Sequence, residues 1–485
     1  MGDYERATRT SVYKKLLHAD CPFLSAQRIG HAENTLMADV DRATKLLANL
    51  TNSILQVSSL AIYVTVAIAI SPEVTAATLI TGGALLYFFR PLIRRNREYS
   101  AKTVDLNKRI AHDVNESIIG IKSVKIMNRE DALSDRMARL FNYLRDLKIK
   151  RTLISSATTE FIQPVSVIFV VLVFIYAFYR PGFDLATFAV VMFLIQRIFI
   201  YVDRGQTLMH EINQQLPHAT YLVNFLGLLE GRTTGVNGEK PFAFGKEIVF
   251  DHVSFVYESE RTVLKDVTFS IKHGEMVGII GPSGVGKTTV VDLIMRLLDP
   301  SDGKITVDGV PLDRISTKEW RSHIGYVPQD IFLLNESIFQ NIRFFDHSVS
   351  PDDVRIAIRD AKLDEVVAAL PQGIETNVGE RGVALSAGQR QRIVLARALA
   401  RKPDILILDE ATSSLDAESE SVIHEALEAI RGKVTVIIIA HRLSTIMNAD
   451  TLVALEGGQI VEHGTPDALL KNPKSYFYRL RSMQT

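Results

Sequence analysis

Apolar residues are concentrated in four long segments of the first half of the chain, whereas the second half carries only short apolar runs. The four segments cover residues 46–70, 74–93, 153–178 and 185–203. A helix rises about 1.5 Å per residue and the hydrocarbon core of a bilayer is about 30 Å thick. The first and third segments can cross it unaided, and the other two need flanking aromatic residues at the interface. The pattern predicts a helical membrane domain with four spans, with a kink at Pro164; a soluble helical bundle is the alternative.

Basic residues at the ends of the spans predict their orientation. Residues 90–97 and 148–151 are strongly basic, whereas the turns at 71–73 and 180–184 carry little net charge. Because basic flanks stay on the cytoplasmic side of a membrane, these two flanks belong in the cytosol. Residues 99–152 are charged but have apolar positions at helical spacing, so we expect them to extend the membrane helices as cytoplasmic stalks.

A stretch rich in turn-forming residues, 231–245, separates the predicted membrane domain, 1–230, from the rest of the chain. Beyond it, in residues 246–485, short apolar strands alternate with helical stretches. This alternation is typical of an α/β domain with a largely parallel sheet. The predicted fold is therefore an all-α transmembrane domain followed by an α/β domain.

The α/β domain contains a glycine-rich loop between a strand-like run at 276–280 and a helix-like run at 288–298. Glycines let successive N–H groups curl around phosphates, Lys287 reaches the terminal phosphates, and the Thr288 hydroxyl can ligate Mg²⁺. This P-loop predicts binding of a nucleoside triphosphate; a chance glycine-rich turn is the alternative. Its candidate binding residues are Gly281, Ser283, Gly284, Gly286, Lys287, Thr288 and Thr289.

Two acidic residues, Asp409 and Glu410, end an apolar run that begins at residue 405. At the carboxyl edge of a parallel sheet, Asp409 can hold Mg²⁺ beside the P-loop, usually through water. Glu410 can polarise the water that attacks the γ-phosphate. For such a strand end taken alone, a surface acidic pair is the alternative.

A second phosphate-binding feature precedes a helix-like run at 390–399. It contains Ser386, Gly388 and Gln389, and a serine hydroxyl with N–H groups at a helix N-terminus suits an anion. Two phosphate-binding loops in one domain make little sense for one nucleotide unless they act in different subunits. We therefore expect a dimer.

These motifs resemble those of ATP-binding cassette (ABC) transporters of the exporter type, in which a membrane domain precedes a nucleotide-binding domain. The resemblance covers nearly all 485 residues. It implies ATP and Mg²⁺ as ligands, a second copy or a related half-transporter as partner, and a bacterial inner membrane as location, with the nucleotide-binding domain in the cytoplasm. The residues that match further family motifs are Tyr257 (adenine stacking), Gln329 (the Q-loop, a Mg²⁺ contact), Ser386 and Gly388 (the signature loop), Asp416 (the D-loop, 414–416) and His441 (the γ-phosphate switch).

The resemblance also implies a mechanism. ATP lies between the P-loop of one subunit and the signature loop of the other, so binding closes the dimer and hydrolysis lets it open, which pulls on the stalks. Glu410 is the expected catalytic carboxylate, with His441 and Gln329 in supporting roles. Residues 376–382 resemble the exporters' cross-linking loop, and residues 116–125 resemble their coupling segment.

The chain departs from the family pattern at two points. Ala387 stands where the first glycine of the signature pair is usual; its methyl group is harmless if φ is negative, and we expect it to be tolerated. The four spans match the third to sixth of the family's six helices, with residues 13–39 resembling the first intracellular loop. We expect that Met1 is an internal or misassigned start or that the chain is truncated, that upstream sequence encodes two further spans, and that ATP hydrolysis by this chain is uncoupled from substrate.

Composition narrows the possible functions. Lys+Arg and Asp+Glu number 55 each, so no net charge favours binding of nucleic acid. Cys21 is the single cysteine, which excludes an internal disulfide framework and Cys-based metal clusters. Two functions remain: a subunit that moves an unidentified substrate outward with ATP, or a truncated or regulatory ABC ATPase without coupled transport. Lipid, lipid-linked glycan, peptide and drug all remain possible as cargo.

Overall fold

The computed structural model describes residues 2–26, 29–179, 184–232, 238, 240–257, 261–411, 416–439, 442 and 446–484. The chain forms two compact units, Met1–Thr233 and Thr234–Thr485.

Helices make up the first unit. They are α1 (Gly2–Leu17), α2 (Cys21–Ala26), α3 (Ile29–Asn34), a π-helical turn (Thr35–Asp39), α4 (Val40–Ile70), α5 (Pro72–Ile119), α6 (Ile121–Ile126), α7 (Glu130–Glu160), α8 (Ile162–Phe178) and α9 (Leu185–Glu230).

Four helical stretches in the described part of the chain are long and apolar enough to cross a membrane. They are Ala32–Ile70, Pro72–Ile119, Glu130–Phe178 and Leu185–Glu230. Their number agrees with the four predicted spans, but each helix extends well past the predicted apolar segment. The predicted stalk region is helical as well, because α5 continues to Ile119 and α7 begins at Glu130.

The third stretch is interrupted near the predicted kink. The break between α7 and α8 lies at Phe161, three residues before Pro164. Proline has no N–H and its ring clashes with the carbonyl group four residues earlier, which here belongs to Glu160. The proline therefore accounts for the place of the break.

Buried polar side chains join the long helices near the ends of the predicted apolar segments. Asn96 Nδ2 lies 2.7 Å from His210 Nδ1, and Thr158 Oγ1 lies 2.7 Å from His210 Nε2. The Thr158 hydroxyl donates its proton to the carbonyl oxygens of Ile154 and Ser155, so Nε2 donates to Thr158 and Nδ1 accepts from Asn96. A neutral His210 thus ties α9 to both α5 and α7.

The second unit is an α/β domain. Its strands are β1 (Glu247–Val256), β2 (Thr262–Lys272), β3 (Met276–Ile280), β4 (Asp302–Val307), β5 (Val310–Pro311), β6 (Ile324–Val327), β7 (Ile405–Asp409), β8 (Thr435–Ile439), β9 (Thr451–Glu456) and β10 (Gln459–Gly464). Its helices are α10 (Lys287–Ile294), α11 (Thr317–Ser322), α12 (Ile338–Arg343), α13 (Pro351–Asp360), α14 (Asp364–Ala369), α15 (Ala387–Ala400), α16 (Ala417–Ile430), α17 (Pro466–Leu470) and α18 (Tyr476–Gln484), with 3₁₀ turns at Leu312–Arg314, Gly373–Glu375 and Glu380–Gly382.

Two sheets form the framework of this unit. The larger has the strand order β10-β9-β3-β8-β7-β6, and every neighbouring pair except β10 with β9 is parallel. It confirms the predicted parallel sheet. The smaller sheet, β2-β1-β4-β5, is antiparallel and was not predicted.

Alternation along the central strands divides the apolar residues of the larger sheet between two cores. Ile407 and the residues at equivalent positions of the neighbouring parallel strands face a core that contains α10 and the antiparallel sheet. Leu406 and Leu408 face the opposite core, which contains α15. Since successive side chains of a strand point to opposite faces, residues 407 and 409 share the face on which α10 packs.

The only tryptophan of the chain, Trp320, is completely buried in the second unit. Its indole Nε1–H donates to the carbonyl oxygen of Ile294, at the end of α10, over 2.7 Å. The ring of Phe242, within the predicted linker, lies 5.6 Å from the Trp320 ring, and the Lys240 N–H donates to the Arg314 carbonyl oxygen. The carboxyl end of the predicted linker, 231–245, thus packs against the second unit.

Candidate nucleotide-binding site

The P-loop connects the buried strand β3 to α10. Gly281 has a φ of 150°, and a Cβ there would lie 2.3 Å from the Leu455 carbonyl oxygen. Gly286, the residue before α10, has a φ of 110°, and a Cβ would lie 2.8 Å from Leu264 Cδ2. Both positions therefore require glycine for conformation and for space. The loop wraps over the first turn of α10, where free N–H groups and the helix dipole favour an anion.

Lys287 is the buried charge at the centre of this loop, with 5% of the residue exposed. Its ammonium group donates to the carbonyl oxygens of Gly281 and Pro282 over 2.9 and 3.1 Å. Burial lowers the pKa of Lys287, and the charges of Glu410 and Asp409 oppose that effect. The loop thus holds one cation close to two carboxylates.

The hydroxyl groups predicted to bind the nucleotide differ in exposure. Ser283 and Thr288 are exposed, whereas Thr289 is buried. The Tyr257 hydroxyl lies 3.5 Å from Thr289 Oγ1, and the Tyr257 ring, partly exposed, meets Phe255 edge-on with 4.9 Å between centroids. Tyr257 therefore stands beside the P-loop helix, and its role in adenine binding stays a prediction.

The two carboxylates end β7. Asp409 is the last residue of the strand and is 5% exposed, and Glu410 follows with a φ of 48°. The Glu410 N–H donates to the Ile439 carbonyl oxygen over 3.0 Å, which anchors it to β8. The Gln329 amide donates to Glu410 Oε2 over 2.8 Å. The structure therefore brings Lys287, Gln329, Asp409 and Glu410 to the carboxyl edge of the parallel sheet.

The predicted signature residues begin α15. The Ser386 hydroxyl accepts from the Gln389 N–H over 3.2 Å, and Gln389 Oε1 accepts from the Ser386 N–H over 2.9 Å. This capping box fixes the start of the helix. Ala387 is its first residue and is not among the residues with positive φ, so the methyl group causes no backbone strain, as expected. Gly388 is buried.

The structure describes two of the predicted motifs only in part. Asp416, the residue before α16, is exposed, and hydrogen bonding from Ser419 lowers the pKa of its carboxyl group. Ser414, Leu415 and His441 lie outside the described residues. Their roles remain predictions.

Two polar residues of the site were missed from the sequence. Burial and the charge of Asp409 raise the pKa of Asp292, on α10, to about 6. Burial raises the pKa of Tyr326 on β6 as well, and the charge of Asp409 adds to the effect. A sequence signal existed for each, because each is a polar residue inside an otherwise apolar run.

Oxygen donors at this edge suit Mg²⁺. Mg²⁺ bound with a nucleotide needs only one or two protein ligands, and the buried Asp409 carboxylate and the exposed Thr288 hydroxyl are of the right chemistry. Within the described ranges no group of three or more His, Cys, Asp or Glu side chains could hold a metal ion by itself.

Asp292→Asn tests the electrostatics of the site. The Asp292 carboxyl group has a pKa of about 6 in the folded protein and about 4 in the unfolded protein. Between these two pH values the protein takes up a proton when it folds. The contribution of Asp292 to stability therefore falls as the pH rises through this range. After allowing for partial exposure, we expect Asp292→Asn to raise the free energy of unfolding by about 1–2 kcal/mol near pH 7.5 and by less near pH 5.

Thermal unfolding of the purified protein in EDTA, followed by Trp320 fluorescence, measures this effect because the only tryptophan lies in the α/β unit. Asp364→Asn, at an exposed residue of α14, is the control. An equal gain in the free energy of unfolding at both pH values would contradict the raised pKa of Asp292.

The fold and the site together define a P-loop ATPase domain fused behind membrane-spanning helices. Comparison with known families agrees: residues 1–201 match the model of the ABC transporter transmembrane region, and residues 264–413 match the model described as ABC transporter. The chain belongs to the ABC transporter family, and it is an exporter-type ATPase of the bacterial inner membrane.

Relatives with assigned names are similar over almost the whole chain. An ATP-dependent lipid A-core flippase of Burkholderia pseudomallei (strain 1710b) is 33% identical over 474 residues, which are 96% of this chain and 79% of that protein. A protein of the same name from Cupriavidus metallidurans is 33% identical over 476 residues, with 95% and 79% covered. A bacterial Atm1-family ABC exporter with ATP bound superposes with a TM-score of 0.88 at 26% identity, covering all of this chain and 86% of that one.

Proposed function

We propose that the protein works as a pair of subunits that bind ATP with Mg²⁺ and use its hydrolysis to move a lipid with an anionic headgroup outward across the inner membrane. The observation that carries the proposal is the joining, in one chain, of four membrane-length helices to a P-loop with its two strand-end carboxylates.

Five polar groups of the site take part in the proposed hydrolysis. Asp409, Thr288 and Gln329 would hold Mg²⁺, which when bound neutralises phosphate charge. Lys287 neutralises further charge on the terminal phosphates. Glu410 accepts a hydrogen bond from the attacking water and polarises it, and the Gln329 amide keeps that carboxylate in position over 2.8 Å.

A site shared between two subunits accounts for the second phosphate-binding feature. The start of α15 offers the Ser386 hydroxyl, which is exposed, and backbone N–H groups of a helix of 14 residues. We infer that it closes over the γ-phosphate bound by the P-loop of the other subunit. ATP binding then favours the closed dimer, and hydrolysis favours opening, which supplies the difference in affinity that a conformational switch needs.

Mixed dimers test the shared site. Pairs of one Lys287→Ala subunit and one Ser386→Arg subunit contain one intact site, so we expect up to half of the wild-type rate of ATP hydrolysis. Dimers of either variant alone should be inactive. Two different affinity tags isolate the mixed pairs, and the number of nucleotides retained per pair is measured beside the rate. Mixed pairs that neither hydrolyse nor retain ATP would contradict a site built from two subunits.

Charge at the inner ends of the spans supports an anionic lipid as substrate. Arg90, Arg94, Arg95 and Arg97 are exposed on α5, and Lys148 and Lys150 are exposed on α7. Such clusters attract anionic headgroups at the cytoplasmic leaflet. The relatives named as lipid A-core flippases point to the same substrate class.

The substrate class is tested by the rate of ATP hydrolysis in lipid vesicles. In contrast to the uncoupled hydrolysis expected from the sequence, we expect anionic glycolipids or phospholipids to stimulate the reconstituted protein and zwitterionic lipids to leave its rate unchanged. Glu410→Gln protein in the same vesicles controls for contaminating ATPases. Equal rates with every lipid would favour a regulatory ATPase without coupled transport.

A further inference from the structure

A fully buried carboxylate joins three helical elements of the first unit. Asp39 ends the π-helical turn that leads into α4, and 0% of the residue is exposed. Its Oδ1 atom accepts a hydrogen bond from Nδ1 of His218 on α9 over 2.6 Å, because a carboxylate has no proton to donate. Its Oδ2 atom faces Lys108 on α5, whose Nζ lies 3.9 Å away. One side chain thus links α5 and α9 at the start of α4.

The ammonium group of Lys108 is held by a different partner. A separation of 3.9 Å is too long for a hydrogen bond, and Oδ2 of Asp39 accepts none from any described residue. The ammonium group lies instead over the ring of Tyr221 on α9, 3.0 Å from the ring centroid. The Lys108 side chain is only 11% exposed. Its charge is therefore shielded from water and stands between an aromatic ring and a carboxylate oxygen that can also bind it.

The two contacts open to this ammonium group are of comparable strength. A desolvated cation over a tyrosine ring and a hydrogen bond from an ammonium group to a carboxylate contribute on a similar scale. A movement of about 1 Å would shorten the distance between Nζ and Oδ2 to that of a hydrogen bond. Buried ion pairs often add no stability compared with apolar side chains, and their best-attested use is to set helix register or to act in a switch. A cation with two near partners of similar strength suits a switch.

We propose that Lys108 is an exchangeable contact between helices: its ammonium group moves between the Tyr221 ring and Asp39 Oδ2 as α5 shifts against α9 in the ATP cycle. The inference rests on the proposed function, in which ATP binding and hydrolysis rearrange the membrane helices. The helix α9 runs without a break from a predicted span to Glu230, where the linker begins. A movement that starts at the linker can therefore reach this contact through α9.

Nuclear magnetic resonance of purified protein labelled with ¹³C at the lysine ε-carbons tests the exchange directly. A group above an aromatic ring resonates upfield, and Lys108→Arg protein identifies the signal of Lys108 by its loss. Spectra are recorded without nucleotide and with a non-hydrolysable ATP analogue and Mg²⁺. We expect the upfield-shifted signal in one of these two states and its loss in the other. Tyr221→Leu should abolish the upfield shift in both.

Asp39→Asn separates the two positions of the ammonium group. The amide keeps the shape of the side chain but removes the charge that draws Lys108 away from the ring, so the upfield shift should persist in both states. Lys45→Arg, at an exposed residue of α4 that pairs with Asp41, is the control and should leave the Lys108 signal as it is in the wild type. If Asp39→Asn does not fold, the comparison of the two states of the wild-type protein still decides.

The outcomes distinguish failure of the inference from failure of the proposed function. Bound analogue with an identical Lys108 signal in both states would overturn the inference and leave the proposed function intact. Loss of the upfield shift in Asp39→Asn when the analogue binds would also overturn it, since the carboxylate would then not be the second partner. Wild-type protein that fails to bind the analogue, measured on the same samples, would overturn the proposed function and the inference with it.

Discussion

Glu410→Gln is expected to lower the rate of ATP hydrolysis about 100-fold or more while ATP remains bound. Glutamine keeps the shape of the side chain but cannot polarise a water molecule as a carboxylate does. The P-loop and Lys287 are untouched by the change. The variant should therefore accumulate as a closed dimer with trapped ATP.

Hydrolysis rate and retained nucleotide are measured together on the purified variant. Glu365→Gln, at an exposed residue of α14, is the matched control and should hydrolyse ATP at the wild-type rate. Hydrolysis by Glu410→Gln at a near-normal rate would rule out this carboxylate as the main catalytic group.

Lys287→Ala is expected to weaken ATP binding at least about 100-fold. The substitution removes the buried cation of the P-loop together with its hydrogen bonds to Gly281 and Pro282. Loss of the charge leaves the terminal phosphates uncompensated beside Asp409 and Glu410. Binding is measured by titration with ATP in EDTA and in Mg²⁺.

The control for this change is Lys304→Ala, because the Lys304 side chain is exposed and pairs with Asp251 at the surface. Lys304→Ala should bind ATP as the wild type does. If Lys287→Ala bound ATP as tightly as the wild type, the P-loop would not be part of the nucleotide site.

The sequence allowed the nucleotide-binding edge to be predicted because its residues follow rules of spacing. A glycine loop between a strand and a helix, and acidic residues at a strand end, meet at one edge whenever the strands are parallel. The contact between Gln329 and Glu410 joins residues far apart in the chain; the resemblance to the family implied that both belong to the ATP site but implied no contact between them. Ala387 was also interpreted correctly, since it starts a helix.

Features set by neighbours in space were not predictable in the same way. Tyr326 shares a sheet face with Asp409 only through the register of β6 with β7, and no local pattern encodes that register. The antiparallel sheet of β1, β2, β4 and β5 pairs strands that flank the P-loop in sequence. In the first unit, hydropathy marked only the apolar part of each helix, and helical spacing predicted the extensions in residues 99–152. Neither signal showed that buried polar residues such as Asn96 and His210 pack the extended helices together.

Lipid movement in reconstituted vesicles tests the central claim most directly. Vesicles carry a fluorescent anionic lipid, ATP is added outside, and a membrane-impermeant quencher reports how much of the lipid is exposed in the outer leaflet. We predict that ATP moves lipid into the inner leaflet of vesicles whose protein has its nucleotide-binding domain outside, and that neither ADP nor Glu410→Gln protein does so. ATP hydrolysis at the wild-type rate with no change in the distribution of any lipid would contradict the account.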